Sequence, residues 1–164
     1  MVGMAAPLSL DRDDLPGALA AVVLVNLVGS APAALGGPGS AWFQSLVKPA
    51  IYPPPWLFGV IWPLLFTLLG VALYLVWRTD HPGRRLALGL FVAQMACNVV
   101  WTPVFFQAQN LSLALGVIGA LLLLAVPTAV AFYRVDRPAG LLVVPYLLWV
   151  AFAAVLNYRF LALN

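Results

Sequence analysis

Trp56–Trp77 reads WLFGVIWPLLFTLLGVALYLVW, a stretch without a single charged residue. As a helix rising about 1.5 Å per residue it reaches roughly 33 Å, enough to cross some 30 Å of hydrocarbon. Four further runs are long enough to do the same: Leu15–Leu35, Leu86–Phe106, Leu111–Tyr133 and Ala139–Leu161, the last with one charge, Arg159, near its end. Together they take up most of the 164 residues, of which 64% are hydrophobic and 8% charged, with mean hydropathy +1.02. No soluble domain buries that much apolar surface, so the solvent of this chain is lipid. Barrel strands would alternate apolar and polar residues over about 10 positions, whereas these runs are continuous. The sequence therefore predicts an all-α integral membrane protein, a bundle of five transmembrane helices that satisfy their own backbone groups. A polar tail, 1–14, precedes one membrane domain, 15–164, and no stretch is left for a separate soluble domain.

Charge is sparse and peripheral. The chain has no Glu, and its five Asp, eight Lys and Arg and one His lie at run ends, in connections or in the tail. The pI of 9.4 reflects this shortage of acids and does not mark a nucleic-acid surface. Cys97 is the sole cysteine, so no intrachain disulfide forms. Ala31-Pro32-Ala33 resembles a signal-peptidase site, but Asp11-Arg12-Asp13-Asp14 has the wrong sign for a leader's basic flank, and the first helix is expected to be retained. His81, beside Asp80 and Pro82, reads as a solvated turn residue, and no second His is available to pair with it on a haem iron. No metal site is expected.

The longest connection, Gly36 to Pro55, contains Gly36-Gly37-Pro38-Gly39 and Pro53-Pro54-Pro55. It is a stiff extended arm that serves either as a spacer or as a lid over one mouth of the bundle. Arg78–Arg85, Gln107–Asn110 and Arg134–Pro138 are short links that make successive helices antiparallel. Arg12, Arg78, Arg84, Arg85, Arg134 and Arg137 fall on one side of the membrane, against Lys48 and Arg159 on the other. Basic loops stay in the cytoplasm, which predicts a cytoplasmic N-terminus and an external 36–55 loop.

On that topology Trp62, Trp101 and Trp149 lie between the midplane and the long-loop face, on three different runs. Trp56 and Trp77 instead bracket their run as interfacial anchors. Three indoles at one depth either pack the bundle or line a shared cavity; each offers a stacking face and one N–H donor, which suits a planar heterocycle or tetrapyrrole. Gln94, Asn98 and Thr102 recur every four residues and share a face. They are interhelical glue, or, in the case of Asn98, a group that orients a ligand carbonyl or carboxylate. Each run carries a proline, Pro32, Pro63, Pro103, Pro127 and Pro145; these either bend the helices and open space between them or are the ordinary prolines of membrane helices. Gly116/Ala120 and Ala151, Ala153 and Ala154 permit close backbone approach, within the chain or in a dimer.

Three stretches together resemble the TspO/MBR family of translocator and tryptophan-rich sensory proteins. They are Trp42-Phe43-Gln44-Ser45-Leu46-Val47-Lys48-Pro49 leading into Pro53-Pro54-Pro55-Trp56, Asn98-Val99-Val100-Trp101-Thr102-Pro103-Val104-Phe105-Phe106, and Pro145-Tyr146-Leu147-Leu148-Trp149 continuing to Asn157-Tyr158. Leu75-Val76-Trp77-Arg78 also fits. The resemblance implies a five-helix membrane protein, often a homodimer, binding porphyrins, sterols or synthetic ligands beneath the first loop. It assigns the pocket to Phe58, Ile61, Trp62, Asn98, Trp101, Trp149, Ala153 and Leu156. It also implicates Trp62 and Trp149 in light-driven porphyrin degradation, as the catalytic pair of an enzyme. Two departures stand out. Ile51 occupies the place of the family's usual Trp, which takes one aromatic from the lid, and Arg159 directly follows Tyr158, which leaves the family's sterol motif incomplete. Val71–Tyr74–Arg78 and Val130–Tyr133–Arg137 satisfy that loose motif by chance.

The expected function is thus the binding of a porphyrin-like tetrapyrrole, held as ligand and not as cofactor, for sensing, sequestration or transport in a prokaryotic cell membrane. Photo-oxidative degradation is the alternative and needs no carboxylate or His. Ion-coupled transport fits poorly, because such carriers place ionisable groups within the membrane.

Overall fold

The computed structural model describes residues 10–164. The first nine residues of the predicted polar tail lie outside the described residues. The described chain is all helical: α1 (Leu15–Ser30), α2 (Ala41–Ser45), α3 (Pro55–Arg78), α4 (Arg84–Phe106), α5 (Leu111–Val135) and α6 (Arg137–Leu163). Five helical segments are long and apolar enough to cross a membrane, the first comprising α1 with its flanking 3-10 turns, Arg12–Ala34. Leu123 (79% exposed) and Leu148 (68%) stand on the outer surface, where lipid is the matching solvent. The protein is an integral membrane protein.

The predicted runs and the helices differ at their ends. Arg84 and Arg85 begin α4, Arg137 begins α6, and Arg78 and Arg134 lie in the last turns of α3 and α5. Long cationic side chains reach back to the interface from helix ends, so charge does not mark where the backbone stops. The first run instead ends early. Its α-helix stops at Ser30, and Ala31–Ala34 continue as a 3-10 turn around Pro32, which has no N–H to give and crowds the preceding turn. Pro55 opens α3 at a position where no N–H is needed, after extended Pro54 (φ −55°, ψ 136°). Asn110 and Asp136 cap α5 and α6, their side chains accepting from Leu113 N–H and Ala139 N–H at 2.9 Å each.

Contacts run around a ring in the order α1, α3, α6, α5, α4, with α4 closing back onto the 3-10 turn after α1. The α1–α3 seam is antiparallel and tight. A Cβ on Gly70 would lie 2.5 Å from the Val22 Cα, and one on Gly29 would lie 2.4 Å from the Phe66 ring. Asn26 Nδ2 donates to Thr67 Oγ1 at 3.2 Å within that seam. At its far end Asp14 accepts from Tyr74 Oη at 2.7 Å and pairs with Arg78 at 2.5 Å. His81 Nδ1 accepts from Gly83 N–H at 2.9 Å in the α3–α4 turn.

Candidate functional site

A cavity of ≈ 400 Å³ opens at the loop end of the ring, and none of its lining residues is charged. The long connection closes over it as a folded element and not a bare arm. Ser40 caps the short helix α2 by accepting from Phe43 N–H at 3.2 Å, which the sequence reading did not anticipate. Phe43, 3% exposed, plugs into a cluster with Phe105, Phe106, Phe160 and Tyr52, its ring centroids 5.3–6.2 Å from theirs. Lys48 turns inward on its own segment, donating to the carbonyls of Phe43 and Leu46 while its ammonium sits 4.4 Å above the Phe43 ring. The Asn164 side chain clasps Val47, accepting from its N–H at 2.9 Å and donating to its carbonyl at 3.2 Å.

Of the eight residues assigned to the pocket, Phe58, Trp62, Asn98, Trp101, Trp149, Ala153 and Leu156 lie on the cavity wall. Ile61 does not; it packs half-buried against the helical core. Helical geometry explains the difference. Phe58 and Trp62 are four residues apart and share a face, as does Phe66, whereas Ile61 sits about 100° round from Trp62. The same stepping places Phe105 on the wall after Trp101, and Phe160 after Leu156. Both follow from helical spacing, although the resemblance does not assign them to the pocket. Tyr52 and Gly36–Pro38 also line the cavity, and no periodicity could have shown it because they lie in the loop. Ile51, 42% exposed, is not on the wall, so the aromatic missing at that position is not missing from the cavity; its neighbour Tyr52 supplies one.

Some polar groups at the wall are tied into hydrogen bonds between helices and others are not. Asn98 Nδ2 donates to Tyr146 Oη at 3.0 Å, and that hydroxyl donates to Gln94 Oε1 at 2.9 Å. Gln94, Tyr146 and Asn98 are all buried, and the relay ties α4 to α6. Trp101 Nε1 donates to Asn157 Oδ1 at 3.0 Å, and Asn157 Nδ2 donates to the Leu111 carbonyl at 3.0 Å, joining α4, α6 and α5. The α4 amides thus join helices, and of the two Asn98 also lines the cavity whereas Gln94, its Nε2 buried without a partner among the described residues, does not. Tyr52 Oη and Trp149 Nε1 are likewise buried and meet no partner among the described residues. Burial pushes the Tyr52 phenol above its ordinary pKa, so it stays a donor. Trp62 stacks on Phe66 with centroids 5.4 Å apart. Among the described residues no three His, Cys, Asp or Glu side chains gather as metal ligands. The wall offers stacking faces and neutral donors.

The sequence pattern of the TspO/MBR family matches residues 19–163, reaching into the first helix that the quoted motifs left out. A translocator protein from Ovis aries is 41% identical over 128 residues, covering 75% of each chain. A tryptophan-rich protein TspO from Chlorobaculum tepidum is 42% identical over 129 residues, covering 77% of this chain and 82% of that one. A tryptophan-rich sensory protein from Cereibacter sphaeroides is 38% identical over 123 residues, covering 75% of this chain and 77% of its own.

Proposed function

The chain belongs to the TspO/MBR family, and from that premise we propose that it binds a porphyrin-like tetrapyrrole in the cavity beneath the 36–55 loop. The observation that carries the reading is the wall itself: uncharged, built from aromatic rings of α3, α4, α6 and the loop, and holding Trp62 and Trp149 together. A volume of ≈ 400 Å³ lies in the range of small-molecule sites, roughly 300–1,000 Å³. Other flat apolar ligands, sterols among them, are admitted by the same wall. Binding serves sensing, sequestration or transport. Protoporphyrin titrated into the purified protein quenches tryptophan fluorescence saturably, and the Trp62→Phe/Trp149→Phe variant binds it several-fold more weakly. Equal affinity in that variant removes the site from this cavity.

The pairing of two oxidisable indoles on one wall also favours a second reading, degradation of the bound porphyrin in light and oxygen through Trp62 and Trp149. Illumination separates the two readings. A defined product that requires both tryptophans marks the enzyme, and bleaching at the rate of free porphyrin marks a binding protein.

The excess of Arg at the opposite end of the bundle supports a cytoplasmic N-terminus and an external loop, and the family resemblance supports a homodimer in a prokaryotic cell membrane. Gly39 suits a topology probe, since a side chain there meets nothing within 4 Å. Gly39→Cys in a Cys97→Ser background reacts with an impermeant maleimide from outside; labelling only after lysis reverses the topology.

A further inference from the structure

Tyr52 and Trp149 both line the cavity, and the phenol O–H of the one and the indole N–H of the other are buried without an acceptor among the described residues. A buried donor left unmade is costly, and its persistence in a folded protein calls for a partner. Both side chains pack on Phe58. The Tyr52 ring stacks on Phe58 at 5.8 Å and 29°, and Phe58 meets Trp149 edge-on at 5.8 Å. A single phenyl ring thus stands between a donor carried by the loop and a donor carried by α6. By contrast, Asn98, Trp101 and Asn157 spend side-chain N–H groups on protein acceptors.

Resting on the porphyrin reading above, we propose that Tyr52 and Trp149 form an acceptor-reading subsite. It selects ligands that bring a carboxylate or carbonyl oxygen to the Phe58 end of the cavity over hydrocarbon ligands of the same shape. An aromatic wall alone grips every flat apolar molecule alike. Two donors with no protein partner change that, because a ligand lacking an acceptor leaves both unpaired and one carrying an acceptor satisfies them. Lys48, the basic residue of the loop, is committed to the Phe43 and Leu46 carbonyls and is not on the wall. The subsite therefore reads acceptor oxygens through neutral donors. Tyr52 is carried by the loop, so this selectivity is complete only when the lid is closed.

The test compares protoporphyrin IX, its dimethyl ester and the purely alkyl-substituted etioporphyrin on the full chain in lipid nanodiscs. Wild type binds both oxygen-bearing porphyrins more tightly than etioporphyrin, by about threefold to tenfold for each donor engaged. Tyr52→Phe removes only the oxygen; it narrows that ratio without weakening etioporphyrin binding, and an unchanged thermal unfolding of the ligand-free variant shows that it folds. Trp149→Phe narrows the ratio as well, and the ester against the free acid reports whether carbonyl or carboxylate is read. An identical ratio in wild type and Tyr52→Phe, or no preference in wild type, overturns the subsite while the porphyrin site stands. Failure of all three porphyrins to bind wild type overturns the porphyrin reading and the subsite with it.

Discussion

The indole N–H of Trp101 donates to Asn157 Oδ1 at 3.0 Å, whereas that of Trp149, on the same cavity wall, meets no acceptor among the described residues. Two tryptophans that look equivalent in sequence therefore have different tasks. Trp101 is a strut between α4 and α6, and Trp149 keeps its donor for what enters the cavity. Substitution separates them. Trp101→Phe leaves Asn157 Oδ1 without its donor and lowers stability by about 1–2 kcal/mol. Trp149→Phe deletes a buried donor that has no protein partner, strands no acceptor, and so destabilises the fold less than Trp101→Phe does. Thermal unfolding of both ligand-free variants in one detergent checks the contrast, and equal destabilisation would contradict the division of roles.

The α1–α3 seam supplies a second contrast. A methyl group at Gly70 would press on the Val22 backbone, 2.5 Å from its Cα, and backbone cannot swing aside as a side-chain tip can. Gly70→Ala should force the two helices apart at a cost of about 1–3 kcal/mol. Gly89, in α4, has open space at the same distance, so Gly89→Ala is neutral or slightly stabilising. The pair is read by thermal unfolding. Because Gly29, packed on Phe66, carries this seam up to the cavity wall, Gly70→Ala should also weaken porphyrin binding.

How far the sequence reaches depends on the kind of order involved. Helix count, position and antiparallel course are written in the continuous apolar runs, because lipid leaves the backbone few alternatives. The wall positions on α3, α4 and α6 follow from helical stepping, which also shows why Ile61 falls off the wall and why Phe66 belongs on it. The lid is of another kind. Nothing periodic announces that Phe43 is its plug, that Lys48 folds back on its own carbonyls, or that Tyr52 faces in while Ile51 faces out. Those facts arise from contacts between the loop and the ends of α4 and α6, which sequence spacing does not encode. The state of each donor is hidden for a similar reason. Only a partner's position, such as that of Asn157 beside Trp101, decides whether an indole N–H is spent.

The same wall fixes a pH response. Among the described residues that line the cavity Tyr52 is the one titratable side chain, and burial raises its pKa above the ordinary phenol value of 10.0. A raised pKa keeps the hydroxyl protonated, hence a donor, throughout the neutral and mildly alkaline range. Binding of etioporphyrin or of protoporphyrin dimethyl ester should then stay flat from about pH 7 to 9. A sigmoidal loss of affinity within that window, measured by fluorescence titration, would place an ionising group at the cavity that the wall does not show.

Lid kinetics follow from the clasp between Asn164 and Val47. The amide of Asn164 both accepts from and donates to the Val47 backbone, at 2.9 and 3.2 Å, and it is exposed. Two exposed hydrogen bonds contribute modestly, about 0.5–1.5 kcal/mol each at most. Their effect falls on the closed lid, which carries Phe43 and Tyr52 over the cavity. Asn164→Ala should therefore open the lid more often and raise the porphyrin dissociation rate roughly threefold to tenfold. The association rate should rise with it, since the same opening admits ligand. Asn164→Asp keeps an acceptor for Val47 N–H but sets an anion against the Val47 carbonyl, so its dissociation rate should lie at or above that of the alanine variant. Stopped-flow quenching of tryptophan fluorescence measures both rates. If dissociation is unchanged in both variants, the clasp holds no part of the lid, and Phe43 in its aromatic socket keeps the loop closed alone.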